Sequence, residues 1–280
     1  MSTKKSAQKI NSVCRLTRTS GVYVKSHLLP LALTRLSLSG EKFFEAGHGH
    51  GRRKVSSSWY DQNLTTRLGE DILAKIDSAG IKELRKLRLI WSGWESHEHS
   101  LRSDEVISWE DQFHLRELDI EAPDVLRVFF LSLLWRAAAS TRAEFSDIKL
   151  SEEDLEDLRL RVVEAKPGKP EDYPLQFHQI FTRGEHHNRT PIMENQTLPE
   201  GELTSSISYV RFYFDGLVTN IYLARHTQLS DGFLRLCVGF KSPTLVIAHK
   251  YGESRAEREL EEIRAIGDGD AYKRLRQPRR

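Results

Sequence analysis

Lys25-Ser26-His27-Leu28-Leu29-Pro30 is the segment of this 280-residue sequence whose residue types and order come nearest to a reactive centre. Val22-Tyr23-Val24 has strand character, so His27 follows a short strand, and Pro30 opens the next element. An imidazole so placed can act as a general base toward a water, and a divalent cation beside it, Mg²⁺ or Mn²⁺, can stabilise the charge that develops. Downstream, Asp61-Gln62-Asn63 and Thr65–Glu70 put polar side chains just before a helix. Asn63 can orient the imidazole through its other ring nitrogen, and Asp61 and Glu70 can orient it or hold the cation. The expected catalytic set is therefore His27, Asn63 and Glu70, with Asp61 as a metal ligand. The competing reading is plainer: His27 packs at a strand end, and Glu70 favours a helix N-terminus electrostatically.

His48-Gly49-His50-Gly51-Arg52-Arg53-Lys54 is a second candidate. Two histidines at i, i+2 on a Gly-rich loop can reach a metal or a phosphate, and paired arginines can clamp a phosphate bidentately. His48 and His50 thus join the expected metal ligands, and Lys25, Arg52, Arg53 and Lys54 are the expected nucleic-acid contacts. A solvated loop is the alternative. His97 and His99, alternating with Glu95 and Glu98, read as a surface connection, and Glu185–Arg189 as a polar loop. The sequence holds no GxGxxG, Walker loop or HExxH. Trp91, Trp94, Trp109 and Trp135 sit in apolar stretches and read as core.

These residues need elements to position them. Cys14–Thr19, the turn pair Ser20-Gly21 and Val22–Val24 read as a hairpin, Leu31–Leu38 as a short helix and Ser39–Ser58 as a long loop. A helix is expected from Thr66 to near Gly80, with Ile81–Ser92 continuing helically. Asp124–Ser140 is apolar almost all round and reads as the central core helix. Ser151 and Asp154 form a capping-box-like start to a further helix, which Pro167-Gly168 ends. Beyond Tyr173 the texture turns to strands. Ile207–Phe214 alternates, Asp215-Gly216 is a hairpin signal and Leu217–Leu223 is the return strand. Leu234–Phe240 and Thr244–His249 form a second expected pair, and Glu253–Ile266 a closing helix. The fold class expected is α+β: a module over residues 1–80, then a helical core and a C-terminal antiparallel sheet over residues 81–280.

The net charge of +2 conceals an asymmetry. Residues 1–60 carry eleven Lys/Arg against two acids, a net of +9, and the last ten residues carry +5, leaving −12 between them. Basic ends on an acidic body suggest a polyanion or an acidic partner surface. With 39% hydrophobic and 29% charged residues the composition fits a folded globular chain. The longest apolar run, Val128–Ala139, is interrupted by Ser132 and Arg136 and falls short of the roughly 18–20 residues a membrane helix needs. No apolar segment follows the N-terminal lysines, so a cytoplasmic location without membrane association is expected. Two cysteines exclude a disulfide scaffold and a four-cysteine zinc site.

Lys25–Pro30, with Cys14 upstream, resembles the "SHIIP" class of bacterial HNH-like (ββα-metal) proteins. Phe129–Ala137, Phe145–Leu150, Pro167-Gly168 and Tyr173-Pro174 extend the resemblance over residues 13–180. Such proteins typically carry a CxxC before the histidine and a later LCxxCE, whose cysteines bind a structural zinc. Here Cys14-Arg15-Leu16-Thr17 and Leu64-Thr65-Thr66-Arg67-Leu68-Gly69-Glu70 stand at those places, the second one residue longer and without cysteine. The resemblance implies a degenerate HNH-like ββα module without its structural zinc. It also implies a metal-dependent endonuclease acting on nucleic acid, DNA rather than RNA, in a bacterial setting such as phage defence. The alternatives are a catalytically inactive nucleic-acid-binding or assembly protein that keeps the fold, and a subunit whose acidic body docks a protein partner.

Overall fold

A tight hairpin opens the described chain, β1 (Ser12–Val13) pairing antiparallel with β2 (Ser20–Gly21). The structure, a computed structural model, describes residues 12–34, 43–47, 50–55, 58–109, 113–200 and 203–266. The hairpin turns through Cys14–Thr19, not at Ser20-Gly21 as the sequence suggests. Arg18 takes a left-handed φ of 59°, and the Thr17 amide donates to Cys14 Sγ. Gly21 lies in the strand because that strand passes close to Thr66, whose methyl would sit 3.1 Å from an added Cβ.

β3 (Ser26–His27) is followed by α1 (Leu31–Thr34), β4 (Phe43–Gly47), β5 (His50–Val55) and β6 (Tyr60–Asp61). β6 returns antiparallel to β3, with His27 opposite Tyr60. The expected loop over 39–58 contains the β4–β5 hairpin, Phe43 opposite Val55. The glycines of this stretch suggest coil, but Phe43-Phe44 and Val55 favour strands. α2 (Arg67–Lys86) then runs unbroken past Gly80, where a stop was expected. Gly80 is there for contact: an added Cβ would fall 2.3 Å from Phe129.

β7 (Ile107–Trp109) and β8 (Phe113–Leu118) pair antiparallel, Ile107 opposite Leu115. α3 (Pro123–Ala139) is the central helix, buried on nearly every side from Leu126 to Ala139. α4 (Glu152–Glu164) begins where Ser151 Oγ accepts from the Asp154 amide and ends at Ala165 in the left-handed region. Trp91, Trp94 and Trp135 are buried as expected; the Trp109 side chain lies outside the described residues.

The remaining elements are β9 (Leu175–Ile180), β10 (His187–Arg189), β11 (Ile192–Glu200), β12 (Leu203–Phe214), β13 (Leu217–Tyr222), α5 (Asp231–Leu234), β14 (Thr244–His249) and α6 (Arg255–Ile266). The β12–β13 hairpin turns at Asp215-Gly216, as expected, with both residues at positive φ. Thus the protein is α+β, with six helices and a seven-stranded mixed sheet among the described residues, ordered β11-β12-β13-β9-β14-β8-β7.

The expected wholly antiparallel C-terminal sheet is corrected in two ways. β14 runs parallel to β9, and two of the seven strands come from residues 107–118. Nor do Leu234–Phe240 pair with Thr244–His249. Ser230 Oγ accepts from the Phe233 amide and caps α5, and the chain then continues in turns that join Leu234 to Cys237 and Cys237 to Phe240. β10 adds in parallel to β4, tying the N-terminal hairpin to the later chain. Buried apolar side chains from Cys14 to Val246 form one contiguous cluster around α3.

Candidate functional site

His27 is placed by the β3–β6 pair, whose two-residue strands end against α3. Its backbone carbonyl accepts from Arg136 Nη1 at 3.2 Å, and its half-buried ring meets Tyr60 edge-on at 6.5 Å between centroids. Lys25 Nζ lies 3.9 Å from the Tyr60 ring centroid, a cation–π contact at an exposed position. The ring opens onto a cavity of about 520 Å³, walled on one side by Pro30, Leu31 and Ala32 and on the other by α2. Burial, with the Lys25 charge adding to it, lowers the His27 pKa below its ordinary value, so the ring is neutral at neutral pH and free to accept a proton.

The α2 wall supplies groups that the sequence reading missed: Asp77, Ser78, Lys82 and Arg85. They lie on adjacent i, i+4 rows with Ala74 and Ile81. That spacing was visible, but only the path of β3 beneath the helix shows that the rows face His27. Asp77 is held by Arg136, at 3.0 Å through Nη1 and 2.5 Å through Nη2. Lys82 and Arg85 are exposed.

The predicted partners do not gather round the ring. Asp61, 1% exposed, takes hydrogen bonds on both oxygens: from the Asn63 amide at 2.7 Å, the Thr141 amide at 2.6 Å, Thr141 Oγ1, and Ser140 Oγ at 3.0 Å. Burial alone would raise its pKa, but these donors outweigh burial and hold it below the usual value. The exposed Asn63 lines a separate cavity of about 460 Å³ with Asp61, Thr141, Arg142 and Glu144. Glu70, in the first turn of α2, accepts from Thr65 Oγ1 at 3.2 Å and reaches His27 only through its charge. His48 lies outside the described residues, as do the side chains of His50, Arg52, Arg53 and Lys54 on β5.

A divalent cation beside His27 would need several carboxylate or imidazole donors in one place. Among the described residues no group of three or more His, Cys, Asp or Glu is so gathered. The carboxylates whose charge reaches His27 have partners of their own, Asp77 in Arg136 and Glu70 in Thr65 Oγ1. The described residues therefore do not fit the expected cation.

Cys14 is built into the hairpin. Its Sγ accepts from the Thr17 amide at 3.5 Å and the Thr66 amide at 3.4 Å, and an added Cβ on Gly69 would lie 2.8 Å from it. Burial raises the thiol pKa, yet these hydrogen bonds outweigh it and leave the value lowered. Thr17, Thr66 and Gly69 surround the sulfur, and the other cysteine, Cys237, is buried elsewhere against Gln176. No helix of the described residues is long and apolar enough to cross a membrane. Compared with family models, with curated proteins and with solved structures, the chain matches none.

Proposed function

We propose that this chain is a nucleic-acid-binding protein built on a degenerate HNH-like module, and that the cavity beside His27 receives a backbone phosphate of DNA. Two short antiparallel strands followed by a helix, β3, β6 and α2, support the module. Lys82 and Arg85 line the cavity, and Lys25 stands beside it on Tyr60. The single observation that carries the reading is the state of the two carboxylates. Asp77, the carboxylate lining this cavity, is gripped by Arg136, and Asp61 is turned to Thr141 at a separate cavity, while Lys82 and Arg85 beside His27 stay exposed.

The second reading is phosphodiester hydrolysis with His27 as general base. It rests on the neutral, half-buried ring facing an open cavity. One experiment separates the two. Labelled duplex and single-stranded DNA are titrated with the protein by fluorescence anisotropy, and plasmid is incubated with it in Mg²⁺ or Mn²⁺ alongside His27→Ala. Salt-sensitive binding without cleavage supports the binder. Cleavage abolished by His27→Ala supports the hydrolase. Absence of both refutes the nucleic-acid reading.

A further inference from the structure

The seven-stranded sheet carries a second cavity, of about 290 Å³, that the nucleic-acid reading does not use. It is lined by His178 of β9, Asn220 of β13 and His249 of β14, with Arg211 of β12 beside them and Arg255 and Arg258 of α6 at its mouth. The register puts these side chains on one face. Arg211 lies opposite Asn220, Val218 opposite His178, and Ile180 beside His249, so positions two apart along each strand look the same way.

Asn220 is 8% exposed. Its Nδ2 lies 3.4 Å from His178 Nε2, and its buried Oδ1 has no hydrogen-bond partner. Turning the amide over would exchange the two atoms but leave one of them unpartnered. A buried polar atom without a partner is costly, and a bound group that donates to it would remove that cost. The rings of His178 and His249 lie within 8° of parallel, 5.9 Å apart. Burial lowers both pKa values, that of His178 to about 4, so both rings are neutral and each offers one N–H donor and one acceptor.

The charges at the mouth do not cancel. Arg189, Arg211 and Arg255 share two carboxylates, Glu194 and Glu259, which leaves one positive charge over. Glu253, which also lines the cavity, is met by Lys250 at 3.6 Å. Arg258 donates to the Glu253 carbonyl and pairs with no carboxylate among the described residues. Arg255 spends three of its five N–H donors on Glu194 and Glu259; its remaining two, the guanidinium of Arg258 and an imidazole N–H border one small space. That donor set matches the three terminal oxygens of a phosphate better than the two of a carboxylate.

We propose that this cavity binds a small phosphate monoester, its phosphate at Arg255 and Arg258 and a hydroxyl or amino group of the ligand donating to Asn220 Oδ1. The site is independent of the His27 cavity, and its test leaves that reading untouched. The full chain is titrated by calorimetry with glycerol 3-phosphate, inorganic phosphate and glycerol. The expected result is saturable one-site binding of glycerol 3-phosphate, weaker binding of inorganic phosphate and none of glycerol. Arg258 is exposed, so Arg258→Gln leaves the fold intact; it should weaken both phosphates by about tenfold or more. Asn220→Leu should remove the preference for the ester and, by deleting the unpartnered atom, raise the melting temperature of the free protein. Lys149→Glu, at an exposed position that lines neither cavity, should leave glycerol 3-phosphate binding unchanged. No saturable binding, or affinity indifferent to Arg258→Gln, would overturn the site. Equal affinity for the ester and the free ion would overturn the role of Asn220.

Discussion

Arg136, buried in the last turn of α3, grips both carboxylate oxygens of Asp77 on α2 and donates to the backbone carbonyl of His27 with the same guanidinium. The central helix thereby fixes both walls of the His27 cavity. The arginine is 1% exposed and its partner 19%. Removing one member of such a pair leaves a buried charge without a partner.

Asp77→Ala should therefore destabilise the protein by about 3 kcal/mol or more, read from the urea midpoint at unchanged slope. Adding Arg136→Met should recover much of that loss. A loss below about 1 kcal/mol, the range of exposed pairs, would mean that Arg136 is not holding the cavity together.

Gly80→Ala should destabilise although alanine is the better helix former. The gain in propensity is at most about 1 kcal/mol. A Cβ 2.3 Å from the Phe129 ring forces α2 and α3 apart, and overpacking of that kind costs about 1–3 kcal/mol. Combined with Phe129→Leu, the loss should be smaller than the sum of the single losses. Stabilisation by Gly80→Ala would contradict this close helix contact.

That contact also shows what the sequence discloses and what it does not. The Ser151 cap, the Asp215-Gly216 turn and the apolar run of α3 were legible because each rests on residues close in the chain. Gly80 looked like a stop because its reason lies on another helix, at Phe129. The parallel pairing of β9 with β14 depends on strands about seventy residues apart, which periodicity cannot match. The candidate site fared likewise. His27 stands out by its neighbours, but Asp77, Lys82 and Arg85 join it only in the cavity that α2 shares with it. Asp61, by contrast, was drawn away to the amide and hydroxyl of Thr141.

Acid should destabilise the protein well before its carboxylates protonate. Burial lowers the pKa of His178, His186 and His187 from 6.5 to about 4, and that of His27 falls in the same direction. The unfolded chain then binds more protons than the folded one between pH 6.5 and about 4. Stability is complete above that window and declines as pH falls through it. Asp215 works oppositely: burial raises its pKa to about 6, so its contribution grows as pH falls through that value. Three rings outweigh one carboxyl. The melting temperature should drop steadily from pH 7 to pH 4.5, and less in His187→Phe, which keeps the stacking on Tyr213. A flat profile would contradict the burial of these rings.

The central claim is that the exposed cations beside His27 hold a phosphate of DNA. The most direct test is the salt dependence of duplex binding by the wild type and by Lys82→Gln/Arg85→Gln. Each phosphate neutralised contributes about 0.9 to the slope of log K against log salt, so the double variant, losing one, should bind more weakly with a slope shallower by about 1. An unchanged affinity and slope in the double variant would show that nucleic acid, if bound at all, sits elsewhere.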